Sequence, residues 1–257
     1  MNLFFESRIA DAYLGPTQKI RVLSKAWAGR EVYCVNCHNN GVARFANNQP
    51  AADFHCTRCS EQYELKSQHQ AFGRTIADGA YHSMVARVSG NTNPNLLLLN
   101  YDLPSLSVTD LFVVPKHFLT ADTIEERKPL SPHARRRGWI GCNILLDHIP
   151  MVGRISIVKN RAVVPEHDVR ENWKKTLFLR DFRVPEARGW LLEVIKCIEA
   201  IGEPRFRLEQ VYAFEADLRK IYPGNAHIKE KIRQQLQVLR DHGFLEFAAR
   251  GTYRLQG

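Results

Sequence analysis

Two sets of chemically capable residues interleave between positions 34 and 66, in the stretch CVNCHNNGVARFANNQPAADFHCTRCSEQYELK. Cys34, Cys37, Cys56 and Cys59 stand as C-x2-C, an eighteen-residue gap, then C-x2-C. That spacing is the zinc-ribbon pattern: each pair forms a knuckle, and four thiolates close a tetrahedron around Zn²⁺ with no open position, so the ion is structural. His38 and His55 lie beside these cysteines and read as bystanders, because four sulfurs already fill the shell. Threaded through the same stretch are Asp53, Glu64 and Lys66. A carboxylate, a gap and Glu-x-Lys suit metal-dependent phosphodiester cleavage. The scissile phosphate repels hydroxide, and its transition state gains negative charge. Mg²⁺ lowers the pKa of a bound water and polarises a phosphoryl oxygen, and it needs only one or two carboxylates. Asp53 and Glu64 fit that role, with the Leu65 backbone carbonyl as a further ligand. Side chains alternate along a strand, so Glu64 and Lys66 share a face, and the Lys66 ammonium can orient the water and offset the developing charge. A Glu-x-Lys pair alone is ordinarily a solvated surface pair. Its company gives it meaning here.

The elements that must position these groups follow from periodicity. Apolar spacing predicts helix through residues 3–28, broken at Gly15-Pro16. Short strands are expected at 52–55 and 62–66, the second with Tyr63 and Leu65 facing the core. A helix is expected at 75–88, from Ile76, Tyr81, Met84, Val85 and Val88. The apolar runs 96–101 and 111–114 read as strands buried on both faces. Residues 128–141 form a basic loop with Pro129, Pro132, Gly138, Gly141 and Trp139; a strand at 154–158 and a polar helix at 168–179 follow. Helices between strands in this order give an α/β class with a mixed sheet.

Composition shifts near Val184-Pro185. Beyond it a helix carries Trp190, Leu191, Val194, Ile195, Ile198 and Ile201 at helical spacing. Further helices are expected at 208–221 and 225–241, then a hairpin from 244–247 and 252–255, the pattern of a winged helix-turn-helix. On the last helix Ile228, Ile232, Leu236 and Leu239 form the apolar stripe. Opposite them lie His227, Glu230, Arg233, Gln234 and Gln237, with Lys231 at the border. Arg matches guanine O6/N7 and Gln matches adenine N6/N7, so this face can read bases in a major groove. Arg250, at the hairpin tip, can reach phosphate or the minor groove.

Composition supports the same partner. The chain of 257 residues carries a net charge of +9 and a pI near 9.4, which suits a polyanion. With 44% hydrophobic residues it can bury a core. No window is apolar enough for a membrane span, and the N-terminus MNLFFESRIADAYLG does not read as a secretory signal. A reducing compartment is therefore expected, where paired cysteines hold metal rather than form disulfides. Cys142 and Cys197 read as small core residues.

Together these residues resemble the DpnI family of methyl-directed (type IIM) restriction endonucleases, which cut GATC when its adenines are N6-methylated. The likeness runs over essentially the whole chain. It is most specific in YCVNC, ADFHCTRCSEQYELKS, DGAYHSM, RKPLSPHARRRGWIGCNI and HIKEKIRQQLQVLRD. The resemblance implies a PD-(D/E)XK nuclease domain with a zinc site over residues 1–183 and a winged-helix domain over 184–257, both reading the methylated sequence. It implies Asp53, Glu64 and Lys66 as catalytic residues, Mg²⁺ and Zn²⁺ as cofactors, and Trp139 as the side chain that meets the adenine methyls, within a loop whose Arg135 and Arg136 face DNA. It further implies a monomer acting on methylated double-stranded DNA in the cytoplasm of a prokaryotic cell. Ala52 stands where the superfamily motif has proline, a position that carries no chemistry. Two buried methyls give only about fifteen-fold preference from burial. Strong discrimination therefore needs a surface poorly matched without them. Two other readings stay open at this stage. One is a zinc-ribbon and winged-helix regulator that binds without cutting. The other is a repair nuclease of different specificity.

Overall fold

The computed structural model describes residues 1–45, 52–182 and 184–256. Its chain separates into two compact units, 1–148 with 152–174, and 149–151 with 175–257. Residue 183, where the first domain is expected to end, lies outside the described residues. So do residues 46–51, within the gap between the two cysteine pairs.

The first unit is built on a mixed sheet. Its strands are β1 (Ala43–Arg44), β2 (Phe54–His55), β3 (Gln62–Gln68), β5 (Asn95–Asp102), β6 (Ser107–Val114), β9 (Ile155–Lys159) and β10 (Ala162–Val163), neighbours in that order among the described residues. Strand β3 runs parallel to β5, with Glu64 opposite Leu96 and Lys66 opposite Leu98, while the other pairings are antiparallel. Leu96, Leu97, Leu98 and Leu99 are fully buried, as a run apolar on both faces requires. Helix α1 (Pro16–Glu31) starts at a proline whose missing N–H costs nothing at N1, and it buries Leu23, Trp27 and Ala28. Ser24 on this helix meets Ser67 of β3 at 3.0 Å between hydroxyls. Helix α3 (Glu166–Lys174) packs on β9.

A second sheet has the order β4-β8-β7, from β4 (Thr75–Ala80), β8 (Gly141–Leu145) and β7 (Ile124–Glu126), with helix α2 (Tyr81–Ser89) against all three strands. Ile76, Cys142, Ile144 and Ile124 are buried on it.

The second unit holds α4 (Pro185–Ile201), β11 (Arg205–Arg207), α5 (Leu208–Tyr212), α6 (Glu215–Ile221), α7 (Ile228–Asp241) and the hairpin β12 (Leu245–Ala249) and β13 (Thr252–Leu255). Helix α4 begins at Pro185 and ends at Gly202, whose φ of 72° is the left-handed C-cap. Its Trp190 ring stacks on Tyr222 at 3.9 Å between centroids. The stripe Ile228, Ile232, Leu236 and Leu239 is buried as its spacing requires. A third strand, β11, pairs with β13 and completes the wing.

Four expectations fail, the first being the polar helix at 168–179, which ends at Lys174 and gives way to a 3-10 turn at Leu177–Asp181. Residues 3–14 are not a helix beyond a short 3-10 turn at Ser7–Ala10: the Phe5 amide bonds Leu106 O, the Val108 amide bonds Leu3 O, and Phe4 bridges Ser107. Long-range pairing has won over local spacing there. The expected helix at 75–88 begins as strand β4, because its backbone pairs with β8 from Thr75 to Ala80. The expected helix at 208–221 is two helices, interrupted at Ala213-Phe214. Among the described residues no helix is long and apolar enough to cross a membrane.

Candidate active site and metal centre

Strand β3 alternates as its sequence demands. Tyr63 and Leu65 point into the core, and Glu64 and Lys66 line a cleft of about 500 Å³ that also takes in Asp53, Lys25 and Arg21. Asp53 precedes β2 and is fixed through its backbone: its amide donates to Tyr63 O at 2.9 Å, and its carbonyl accepts from the Phe45 amide at 3.0 Å. Its side chain is held as firmly. Oδ2 accepts the Leu65 amide at 3.0 Å, and Oδ1 pairs with the Lys25 ammonium of α1. The amide and carbonyl of one strand residue leave on the same edge, so the Leu65 carbonyl faces the edge on which Asp53 sits.

On the other side of the cleft, Lys66 Nζ lies 2.6 Å from Glu64 Oε1 and 2.6 Å from Asp78 Oδ1. Burial raises the pKa of Glu64; Lys66 pulls it back, while the charges of Asp78 and Asp53 push it up. Burial works against the Lys66 charge, yet Glu64 and Asp78 outweigh it and the ammonium is held above its ordinary pKa. Two carboxylates and a backbone carbonyl are the hard oxygen donors that Mg²⁺ accepts. Each carboxylate already carries a lysine ammonium as a stand-in cation, so the residues fit a divalent ion.

The four cysteines also converge. Their sulfurs all lie within 4.8 Å of one another, the one such cluster of His, Cys, Asp and Glu among the described residues. Cys34–Cys59 and Cys37–Cys56 are each 3.5 Å apart. Zinc at about 2.3 Å from four sulfurs sets edges of roughly 3.8 Å, so the cluster fits a tetrahedral ion. Burial pushes the Cys34 and Cys37 thiols up. Against the same desolvation, donors from Asn39 and the Arg58 amide hold Cys56 down at about 6. Outer contacts brace the first knuckle: Arg170 of α3 donates to Cys37 O, and Trp173 Nε1 donates to Asn36 Oδ1 at 2.8 Å. The Tyr63 hydroxyl lies 3.2 Å from Cys34 Sγ, which ties a cysteine directly to the residue before Glu64.

The basic loop leads into β8. Trp139 is half-buried, with the Arg136 guanidinium 4.7 Å from its ring centroid; Arg135 and Arg136 are exposed. Its indole lies across Gly141, where an added Cβ would stand 2.8 and 2.9 Å from two ring carbons. In the second unit Arg233, Gln234 and Gln237 are exposed on α7, His227 is exposed at its N-cap, and Arg250 is exposed in the β12–β13 turn. Lys231 differs, with its Nζ 6.0 Å from the Trp190 ring and its body half-buried.

Sequence reasoning missed Lys25 and Asp78. Lys25 falls between Leu23 and Trp27 on a helix, where a lone lysine reads as solvated. Asp78 was hidden by the expected helix, and only its strand register turns it toward Lys66.

A mixed sheet offering two carboxylates and a lysine in one cleft, braced by a four-cysteine cluster and joined to a winged helix, defines a nuclease with its own DNA-binding domain. The DpnI family model, described as the Dam-replacing family, matches residues 1–182, and that of the Dam-replacing HTH domain matches residues 186–255. The chain belongs to the Dam-replacing family and is a restriction endonuclease of the methyl-dependent class, with DNA as its partner.

Proposed function

We propose that the chain hydrolyses double-stranded DNA at GATC sites carrying N6-methyladenine, in a Mg²⁺-dependent reaction. Supporting this most directly is the meeting of Asp53, Glu64 and Lys66 in one cleft on a chain of net charge +9. Asp53, Glu64 and the Leu65 carbonyl would hold Mg²⁺. When bound, the ion supplies an activated water and neutralises charge on the phosphoryl oxygens. Lys66 orients the attacking water and offsets the charge that develops on the phosphate. Lys25 and Arg21, on one face of α1, present positive charge to the DNA backbone.

Zn²⁺ at Cys34, Cys37, Cys56 and Cys59 keeps the knuckles, and through them Asp53, in place. The domains, residues 1–183 and 184–257, both read the methylated site, so a monomer can supply two recognitions where other enzymes use two subunits. Trp139 meets the methyl groups, with Arg135 and Arg136 on adjacent phosphates. His227, Lys231, Arg233, Gln234, Gln237 and Arg250 form the winged-helix contact. The setting is a reducing prokaryotic cytoplasm.

Incubation with methylated and unmethylated plasmid, each with Mg²⁺ or with chelator, tests the reading. Only the methylated plasmid with Mg²⁺ should be cut. Equal cutting of both plasmids would leave a nuclease of other specificity, and binding without cutting would leave a regulator.

The indole offers a finer test. Gly141→Ala places a methyl against Trp139, whose half-exposed ring can yield without unfolding the chain. Preference for methylated over unmethylated duplex should fall by up to about fifteen-fold, the share that burial of two methyls supplies. Unchanged preference in a competition assay would remove Trp139 from methyl reading.

A further inference from the structure

Asp78 opens the segment DGAYHSM, to which no role was given, yet it contributes half of what holds Lys66. The ammonium sits between two carboxylates, 2.6 Å from Glu64 Oε1 and 2.6 Å from Asp78 Oδ1. The two acids differ in what is free to change. Glu64 lies on β3 beside Asp53 and faces the cleft, where a divalent cation would draw on its charge. Asp78 comes from the other sheet. It is paired in register with Cys142 of β8 and shares a face with Ile76 and Ile144. Its side chain is only 9% exposed. The Gly79 amide donates to Asp78 Oδ1 at 2.7 Å, at the irregularity where the β4–β8 register shifts between Asp78 and Ala80. A carboxylate at so apolar a position is costly unless a cation answers it, and the cation here is Lys66.

Were its charge drawn on by a bound divalent ion, Glu64 would hold the Lys66 ammonium less firmly. With only Glu64 as partner, Lys66 would swing away from the phosphate when it is needed. We propose that Asp78 is a positioning residue that keeps the Lys66 ammonium beside the metal-binding carboxylates once a divalent cation has taken the charge of Glu64. It is set apart from the metal-binding pair by position: it comes from the other sheet, and Asp53, Glu64 and Asp78 do not draw together as the four cysteines do. The inference rests on the nuclease reading, and it adds a dependence of the catalytic strand on the second sheet. That sheet is the one whose β8 begins at Gly141, under the Trp139 indole, with the Tyr81 amide donating to Ile140 O at 3.2 Å.

The experiment compares wild type with Asp78→Asn, which keeps the shape and removes the charge, and with Asp78→Ala. Cleavage of methylated plasmid at saturating Mg²⁺ should slow by roughly 10²-fold, the effect of a small misplacement of a catalytic group. Affinity for methylated duplex in Ca²⁺ should stay within about threefold, and the Mg²⁺ concentration for half-maximal rate should be unchanged. A second readout needs no turnover: in Ca²⁺ and without DNA, acetylation of Lys66 followed by mass spectrometry should run several-fold faster in Asp78→Asn. Asp78→Glu, which keeps the charge, should recover part of the rate. Should Asp78→Ala fold poorly, Asp78→Asn decides. Cutting at the wild-type rate with unaltered Lys66 acetylation would overturn the proposal. So would recovery of the lost rate at higher Mg²⁺, which would make Asp78 a metal ligand. Failure of wild type to cut methylated plasmid would instead remove the nuclease reading itself.

Discussion

Lys66→Met should slow cleavage of methylated plasmid by on the order of 10³-fold while leaving duplex binding in place. Methionine keeps most of the apolar stem and removes only the ammonium, so the loss isolates the charge. In the proposed reaction that charge offsets the negative charge the phosphate gains. No other cation among the described residues stands within hydrogen-bond reach of both Glu64 and Asp78. The substitution also strips Asp78 of its counter-ion at a site 9% exposed. An unanswered buried carboxylate costs about 3–5 kcal/mol, so the single variant should melt earlier than wild type. Adding Asp78→Asn should return much of that stability and none of the cleavage. Stability and catalysis are thereby separated in one pair of proteins. Affinity for methylated duplex, measured in Ca²⁺ well below the melting range, should stay within about threefold of wild type, because the proposed base reading is assigned to Trp139 and α7 and not to Lys66. Mg²⁺-dependent cutting by Lys66→Met at more than about a tenth of the wild-type rate would end the catalytic assignment of Lys66.

How far the sequence revealed this site depended on whether local or distant forces set each element. The alternation Tyr63-Glu64-Leu65-Lys66 is a local signal, since period two sorts the faces of any half-buried strand, and the structure keeps it. The cysteine spacing is local too, and the four sulfurs converge. In the second unit the α4 and α7 stripes were legible from helical spacing, reinforced in α4 by Pro185 at its start and Gly202 at its end. Asp78 was not legible. Ile76 and Tyr81 are five apart, a poor helical pair, and Gly79 disfavours helix, yet the later Met84, Val85 and Val88 carried the helical reading backwards over β4. The strand exists because β8, sixty-odd residues downstream, supplies its hydrogen bonds. Leu3 and Phe5 fail for the same reason, their backbone bonding to the start of β6 a hundred residues away. Lys25 failed differently. Its helix was expected correctly, but nothing in a lone lysine announces the Asp53 it faces.

Removing zinc should cost the first unit its fold and leave the second standing. The knuckles reach the active site by two routes. Cys56 lies three residues after Asp53, across β2, whose pairing of Phe54 with Tyr63 and His55 with Gln62 sets the position of Asp53 against β3. Cys34 reaches the other way, its sulfur 3.2 Å from the hydroxyl of Tyr63, next to Glu64. Without the ion, thiols whose sulfurs lie 3.5 Å apart gain nothing from that closeness, and Cys34 is buried with them. Apparent binding energies of structural zinc, about 10–16 kcal/mol, exceed the roughly 5–15 kcal/mol that holds a typical domain, so its loss is not a local event. Purified protein should contain about one tightly bound zinc per chain. Treatment with a thiol-reactive mercurial and chelator should release it, abolish cleavage, and erase one of two thermal transitions. The transition that remains belongs to the helices packed around Trp190, Ile198, Ile232 and Leu236, which bury a core of their own. Cys56→Ser should act in the same direction, with cleavage lost and the first transition lowered or absent. Zinc well below one per chain, or full cleavage after its removal, would refute the tetrahedral site. Loss of both transitions together would show instead that the second unit depends on the first to fold.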